Sequence, residues 1–120
     1  MLFRSLQPKD IKVAQIYDAF TVTTLILLEA LGFCEPGAAP AFVNRGAIDP
    51  GGELPVNTYG GLLSFGHAGD SSGMSLITAG AMQVMGEAGP TQVLDADRVL
   101  IHAYGGVMYD NATLILGREP

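Results

Sequence analysis

The sequence holds a single cysteine, Cys34, so it cannot build an internal disulfide framework, and a lone thiol fits a reducing compartment. Basic charge is also scarce: six Lys and Arg stand against twelve Asp and Glu, for a net charge of −6, and no Lys/Arg run occurs. Proteins that track nucleic-acid phosphates cluster such residues, so that class is excluded. Long apolar runs are missing as well. The longest, 19–33, is interrupted by Glu29 and falls short of the ~20 residues a bilayer demands. The N-terminus lacks the charged-then-apolar order of a signal peptide. A soluble, cytoplasmic protein without a membrane span is expected, and Asn111-Ala112-Thr113 then matches a glycosylation acceptor only by chance. No internal repeat, low-complexity tract or metal site is expected.

What is present is a core. Apolar residues make up 48% of 120 residues, enough for one packed domain. The 16 glycines fall in clusters, which points to tight turns and close backbone approaches. Pro8 and Asp10 suggest a turn or short helical start. Val13–Tyr17 reads as a strand entering the core. Asp18 sits where an N-cap belongs, ahead of a helix over Thr21–Leu31 that is apolar nearly all round and ends at Gly32. Four of the seven prolines (Pro36, Pro40, Pro50, Pro55) fall within 34–55, which reads as a long loop with a short hairpin around Ala41–Ile48. A strand over Leu54–Thr58 leads into the segment 59–69, too glycine-rich for regular structure throughout.

Asp70 or Ser71 can cap a second helix over Ser72–Met85, whose buried face would carry Met74, Ile77, Ala81, Met82, Val84 and Met85. Val99–Ala103 and Ala112–Leu116 read as strands. Gly105-Gly106 and Asp110-Asn111 between them predict an antiparallel hairpin. The order gives an α/β fold: a mixed sheet, covering helices and a C-terminal antiparallel strand pair.

Three pieces could form a site. They are Tyr17-Asp18 at a strand end, Tyr59 with Gly66-His67 in the glycine-rich segment, and Tyr104 beside Gly105-Gly106 at another strand end. Ligands of α/β sheets collect at strand ends, and glycine pairs let a backbone approach a ligand with N–H groups free to donate. His67 is a candidate general base. His102 reads as a core histidine, Tyr109 as turn surface and Cys34 as a small buried hydrophobe.

At these residues the chain resembles the C-terminal domain of the thiolase superfamily, and within it the sterol-carrier-type thiolases and thiolase-like lipid-transfer or aldolase proteins. The resemblance runs over about 10–119. Ile16-Tyr-Asp-Ala-Phe20, Gly32-Phe-Cys-Glu35, Gly51-Gly-Glu-Leu-Pro-Val-Asn57, Gly60-Gly-Leu-Leu-Ser64, Gly66-His67 and Ala112-Thr-Leu-Ile-Leu-Gly117 carry it.

The family's nucleophilic cysteine lies in an N-terminal half outside this sequence, and Cys34 does not match it. The motif that holds an oxyanion-hole water matches Tyr17-Asp18-Ala19-Phe20, with Tyr at its first place. The Gly-His-Pro motif matches Gly66-His67-Ala68, with its proline lost. The Cys-x-Gly motif matches Ala103-Tyr104-Gly105, with its proton-transferring cysteine lost.

The resemblance implies the C-terminal part of an enzyme acting on coenzyme A thioesters, with no covalently bound cofactor. Aldolase-like chemistry is favoured over Claisen condensation, since alanine moves no proton. Tyr104 is the substitute acid/base, with His67 and Tyr59 beside it. Tyr17, Asp18, Gly66, Gly105 and Gly106 are the supporting groups. The partners implied are a second copy or an N-terminal thiolase half, and an OB-fold protein. A non-catalytic lipid- or acyl-CoA-binding scaffold is the alternative. Residues 1–4 depart from the family, which suggests an incomplete reading frame; the isolated chain is then expected to be inactive.

Overall fold

A computed structural model describes residues 5–118, and residues 1–4, where the departure from the family falls, lie outside it. A 3-10 turn over Pro8–Asp10 precedes strand β1, Val13–Ile16. Helices α1 (Thr21–Ala30), α2 (Ala39–Asn44), α3 (Gly61–Phe65) and α4 (Ser72–Met85) follow. Strands β2 (Arg98–Gly105) and β3 (Asp110–Gly117) close the chain. The sheet runs β1-β2-β3, with β1 parallel to β2 (Val13 beside Val99) and β2 antiparallel to β3 (Ala103 beside Ala112). This is the expected α/β mixed sheet with an antiparallel C-terminal pair.

Alternation along the strands sorts side chains between two apolar layers. Ala14, Ile16 and Leu100 meet Leu27 and Leu28 of α1 and Phe42 of α2 on one face. Val13, Val99 and Ile101 meet Leu62 of α3 and Leu76 of α4 on the other. β1 is therefore buried along its whole length. No helix among the described residues is long and apolar enough to cross a membrane.

Four local expectations are corrected. The hairpin around Ala41–Ile48 is instead α2 with the turn that follows it; Pro40 sits in the first turn of α2, where a missing N–H costs nothing. The strand over Leu54–Thr58 is reduced to one bridge, Val56 beside Ala14. There Pro55 O accepts from Ala14 N–H, and Asn57 N–H donates to Ala14 O. The Asn57 carboxamide then serves both backbone groups of Ile16, at 2.7 and 2.9 Å, so a side chain closes the outer edge of β1. Third, α4 does not bury its methionines. Ser72, Leu76, Gly80 and Gln83 face the sheet, while Met74 and Met85 are 60% and 61% exposed.

The fourth correction bears on the site. Asp18 does not cap α1, which begins at Thr21 with Thr23 Oγ1 donating to Phe20 O at 2.7 Å. The all-round apolarity of α1 leaves Val22 and Ile26 exposed, and its stop at Gly32 stands, with φ at 78°.

Candidate active site

β1 runs out at Ile16, and the next two residues carry the first functional side chains. Tyr17 Oη lies 2.9 Å from His67 Nε2, across 50 residues of sequence. The two rings meet edge to face with centroids 5.6 Å apart. Tyr104, near the C-terminal end of β2, packs edge-on to Tyr17 at 5.1 Å. The strand ends thus bring Tyr17, His67 and Tyr104 together, and they line an open pocket of about 610 Å³ with Phe20, Ala103 and Gly106.

Hydrogen bonding gives each of these groups a polarity. Gly69 N–H donates to His67 Nδ1 at 3.3 Å. A neutral imidazole that accepts at Nδ1 carries its proton on Nε2, so His67 donates to the Tyr17 oxygen. The proton of Tyr17 is then available to a ligand. Tyr104 instead donates to Thr23 Oγ1 through a long 3.3 Å bond.

Asp18 is buried at 5% exposure, and its Oδ1 accepts Leu62 N–H at 2.7 Å. That N–H belongs to the first turn of α3, which leads straight to His67. Gly66 donates its own N–H to Leu62 O, so it caps α3. Gly105 pairs with Asp110 at the end of the ladder and Gly106 turns the hairpin at φ 57°; both line the pocket.

Tyr59 is not brought to this pocket. It meets Phe65 edge to face at 5.6 Å and lines a second, apolar cavity of about 320 Å³ with Met74, Thr78 and Met82. Burial, then the charge of Asp18 and the neighbouring Tyr17, pushes its phenol up to about 12. Its hydroxyl is buried with no hydrogen-bond partner among the described residues. His102 is buried in the sheet, with Nδ1 2.8 Å from Thr113 Oγ1, and burial lowers its pKa. Tyr109 is exposed turn surface. Cys34 is half-buried against the α1/α2 layer, and burial raises its thiol.

Sequence reasoning placed Tyr17 only among the supporting groups. Its contact with His67 spans 50 residues, and no local pattern announces it.

Residues 4–118 match the family described as thiolase C-terminal domain-like. The chain belongs to that family. A 17-hydroxy-3-oxo-4-pregnene-20-carboxyl-CoA lyase of Mycobacterium tuberculosis is 43% identical over 112 residues, which is 93% of this chain and 28% of the lyase. Sterol carrier protein 2 of Oryctolagus cuniculus is 39% identical over 100 residues, 83% of this chain and 18% of that protein. The solved Ltp2-ChsH2(DUF35) aldolase superposes with a TM-score of 0.84 at 39% identity, over 93% of this chain and 28% of that one. The chain therefore spans less than a third of the length of these relatives.

Proposed function

We propose that this chain is the C-terminal, proton-handling part of a thiolase-like carbon–carbon lyase acting on a β-hydroxy acyl-CoA thioester of lipid or steroid type. The observation that carries the reading is the Tyr17–His67 hydrogen bond with Tyr104 packed edge-on against Tyr17, beside Ala103 where the family motif has cysteine. The names of the lyase and the aldolase above support it.

A retro-aldol cleavage needs a base for the β-hydroxyl proton and an acid for the carbanion released. In this reading the β-hydroxyl gives its proton to the Tyr17 oxygen as the Tyr17 hydroxyl releases its own to solvent in the open pocket, and the Nε2–H of His67 steadies the charge on that oxygen. The Cα–Cβ bond breaks, and its electron pair passes into the thioester as an enolate. Tyr104 then gives its proton to Cα. Solvent in the open pocket returns a proton from Tyr17 to Tyr104. This arrangement gives Tyr17 the base role expected of His67, and it leaves Tyr59 outside the proton path.

The rest of the site, including the groups that hold the CoA phosphates, belongs in this reading to an N-terminal half or a partner, with a second copy and an OB-fold protein as the partner classes. The name of the Ltp2-ChsH2(DUF35) aldolase, which joins two components, supports a partner. A cytoplasmic setting fits the single reduced thiol. Ala103 favours one other reading, a non-catalytic acyl-CoA-binding scaffold.

In the native-length protein, Tyr17→Phe, Tyr104→Phe and His67→Ala should each lower turnover about 10²- to 10⁴-fold with CoA-ester binding retained. Wild-type turnover in all three would overturn the lyase reading. A native-length protein that binds CoA esters without turning any over would establish the scaffold.

A further inference from the structure

The segment 61–67 is gripped at both ends by two consecutive residues of the β1 terminus. Tyr17 holds its far end through His67. Asp18 holds its near end: Oδ1 accepts Leu62 N–H at 2.7 Å and Oδ2 accepts Leu63 N–H at 3.5 Å. Leu62 passes the constraint on, because its carbonyl accepts Gly66 N–H at 3.1 Å, one residue before His67. A hydrogen-bonded path therefore runs from the Asp18 carboxylate along α3 to the histidine.

The glycines at the start of α3 have their explanation here. Gly61 sits at φ 67°, and a Cβ on it would collide with the Asp18 carboxylate. Gly60 has φ 108°. The backbone comes this close because an acceptor waits for it. A buried carboxylate is costly unless hydrogen-bonded, and two main-chain donors at a helix start supply that compensation.

We infer that Asp18 is a positioning residue, which sets the distance between His67 and Tyr17 by fixing the start of α3. The inference rests on the reading of Tyr17 and His67 as groups of the reactive pocket. It adds a residue that touches no substrate and acts through the backbone of Leu62. Asp18→Asn keeps the volume and one acceptor but sets an NH₂ against the Leu63 N–H. Gly61→Ala keeps the carboxylate but pushes it off its donors. The two changes damage the same contact from opposite sides.

The experiment has two readouts in the native-length protein. Deuterium exchange at the imidazole C2–H, followed by mass spectrometry across pH, reports His67 separately from His102. Both variants should shift the exchange profile of His67 and leave that of His102 at wild type. Turnover of the β-hydroxy acyl-CoA should fall about 10- to 100-fold in kcat with KM little changed and the pH profile displaced. Asp18→Glu, which restores a carboxylate, should recover part of the rate. A wild-type His67 profile in both variants overturns the inference, as does an equal change at His102, which would mark general loosening. Absence of turnover in the wild type would sink the lyase reading alone, because the exchange measurement still decides the role of Asp18.

Discussion

His102 is a buried histidine with Nδ1 paired to Thr113 and Nε2 unpaired among the described residues. Burial lowers its pKa in the fold, so the unfolded chain takes up its proton first. Its contribution to stability is complete above the unfolded value, ~6.5, and is lost as pH falls through that value toward the folded one. Urea unfolding at a series of pH values should show this loss, and His102→Gln should flatten the profile just below pH ~6.5. Tyr59 carries the opposite kind of expectation. Its hydroxyl is buried without a partner, so Tyr59→Phe removes an unmet desolvation penalty. Its urea midpoint should hold or rise, and turnover in the native-length protein should hold with it. A Tyr59→Phe enzyme without activity would return Tyr59 to the proton path. The sequence pointed to Tyr59 because it is a tyrosine in a glycine-rich segment; which of two cavities it lines depends on packing with Phe65 and α4.

Among the elements, α4 meets the sheet at a glycine. A Cβ on Gly80 would lie 2.7 Å from Ile101 Cδ1 and 2.9 Å from its Cγ1. Gly80→Ala gains about 1 kcal/mol of helix propensity but overpacks the interface by about 1–3 kcal/mol. Thermal unfolding should show a net loss, and Ile101→Val in the same chain should relieve part of it. Gln83 secures the far end of α4 by donating to Thr58 Oγ1 and Thr91 O and accepting from Val93 N–H. Ile77 and Val84 of the expected α4 face do pack against the core, but its methionines were misread, because small and polar residues, Ser72, Gly80 and Gln83, are buried while the methionines face out. Periodic apolarity cannot show that a glycine is buried for closeness. β1, α1 and the β2–β3 hairpin were legible, since their signals are local: apolar runs, a glycine stop and turn residues. α3 was not, because the carboxylate that stabilises its start stands 44 residues earlier.

At the scale of the molecule, the radius of gyration of 13.6 Å is that of a compact domain of this length. The accessible surface is 7446 Å², against about 6200 Å² expected for a compact monomer of 12.5 kDa. Phe20, Val22 and Ile26 are exposed around α1, and Met74, Met82 and Met85 along α4. Apolar residues grouped this way on one helix usually mark a contact surface. The isolated chain should therefore self-associate in light scattering, and a stable monomer at high concentration would count against a contact surface there.

Strand pairing between copies is a separate route to association, and the side chain of Asn57 gives it a particular arithmetic. That side chain occupies both backbone groups of Ile16, while Pro55 O and Asn57 N–H occupy those of Ala14, so the β1 side of the sheet is chemically saturated. β3, last in the strand order, keeps an edge that no strand pairs with among the described residues. A sheet with two reactive sides is bivalent and can extend into a ribbon. This one is monovalent: a second copy joining through β3 presents only its own saturated side outward. Strand pairing between copies would then stop at two, a chain-terminated reaction with the Asn57 carboxamide and the Val56 bridge as terminators.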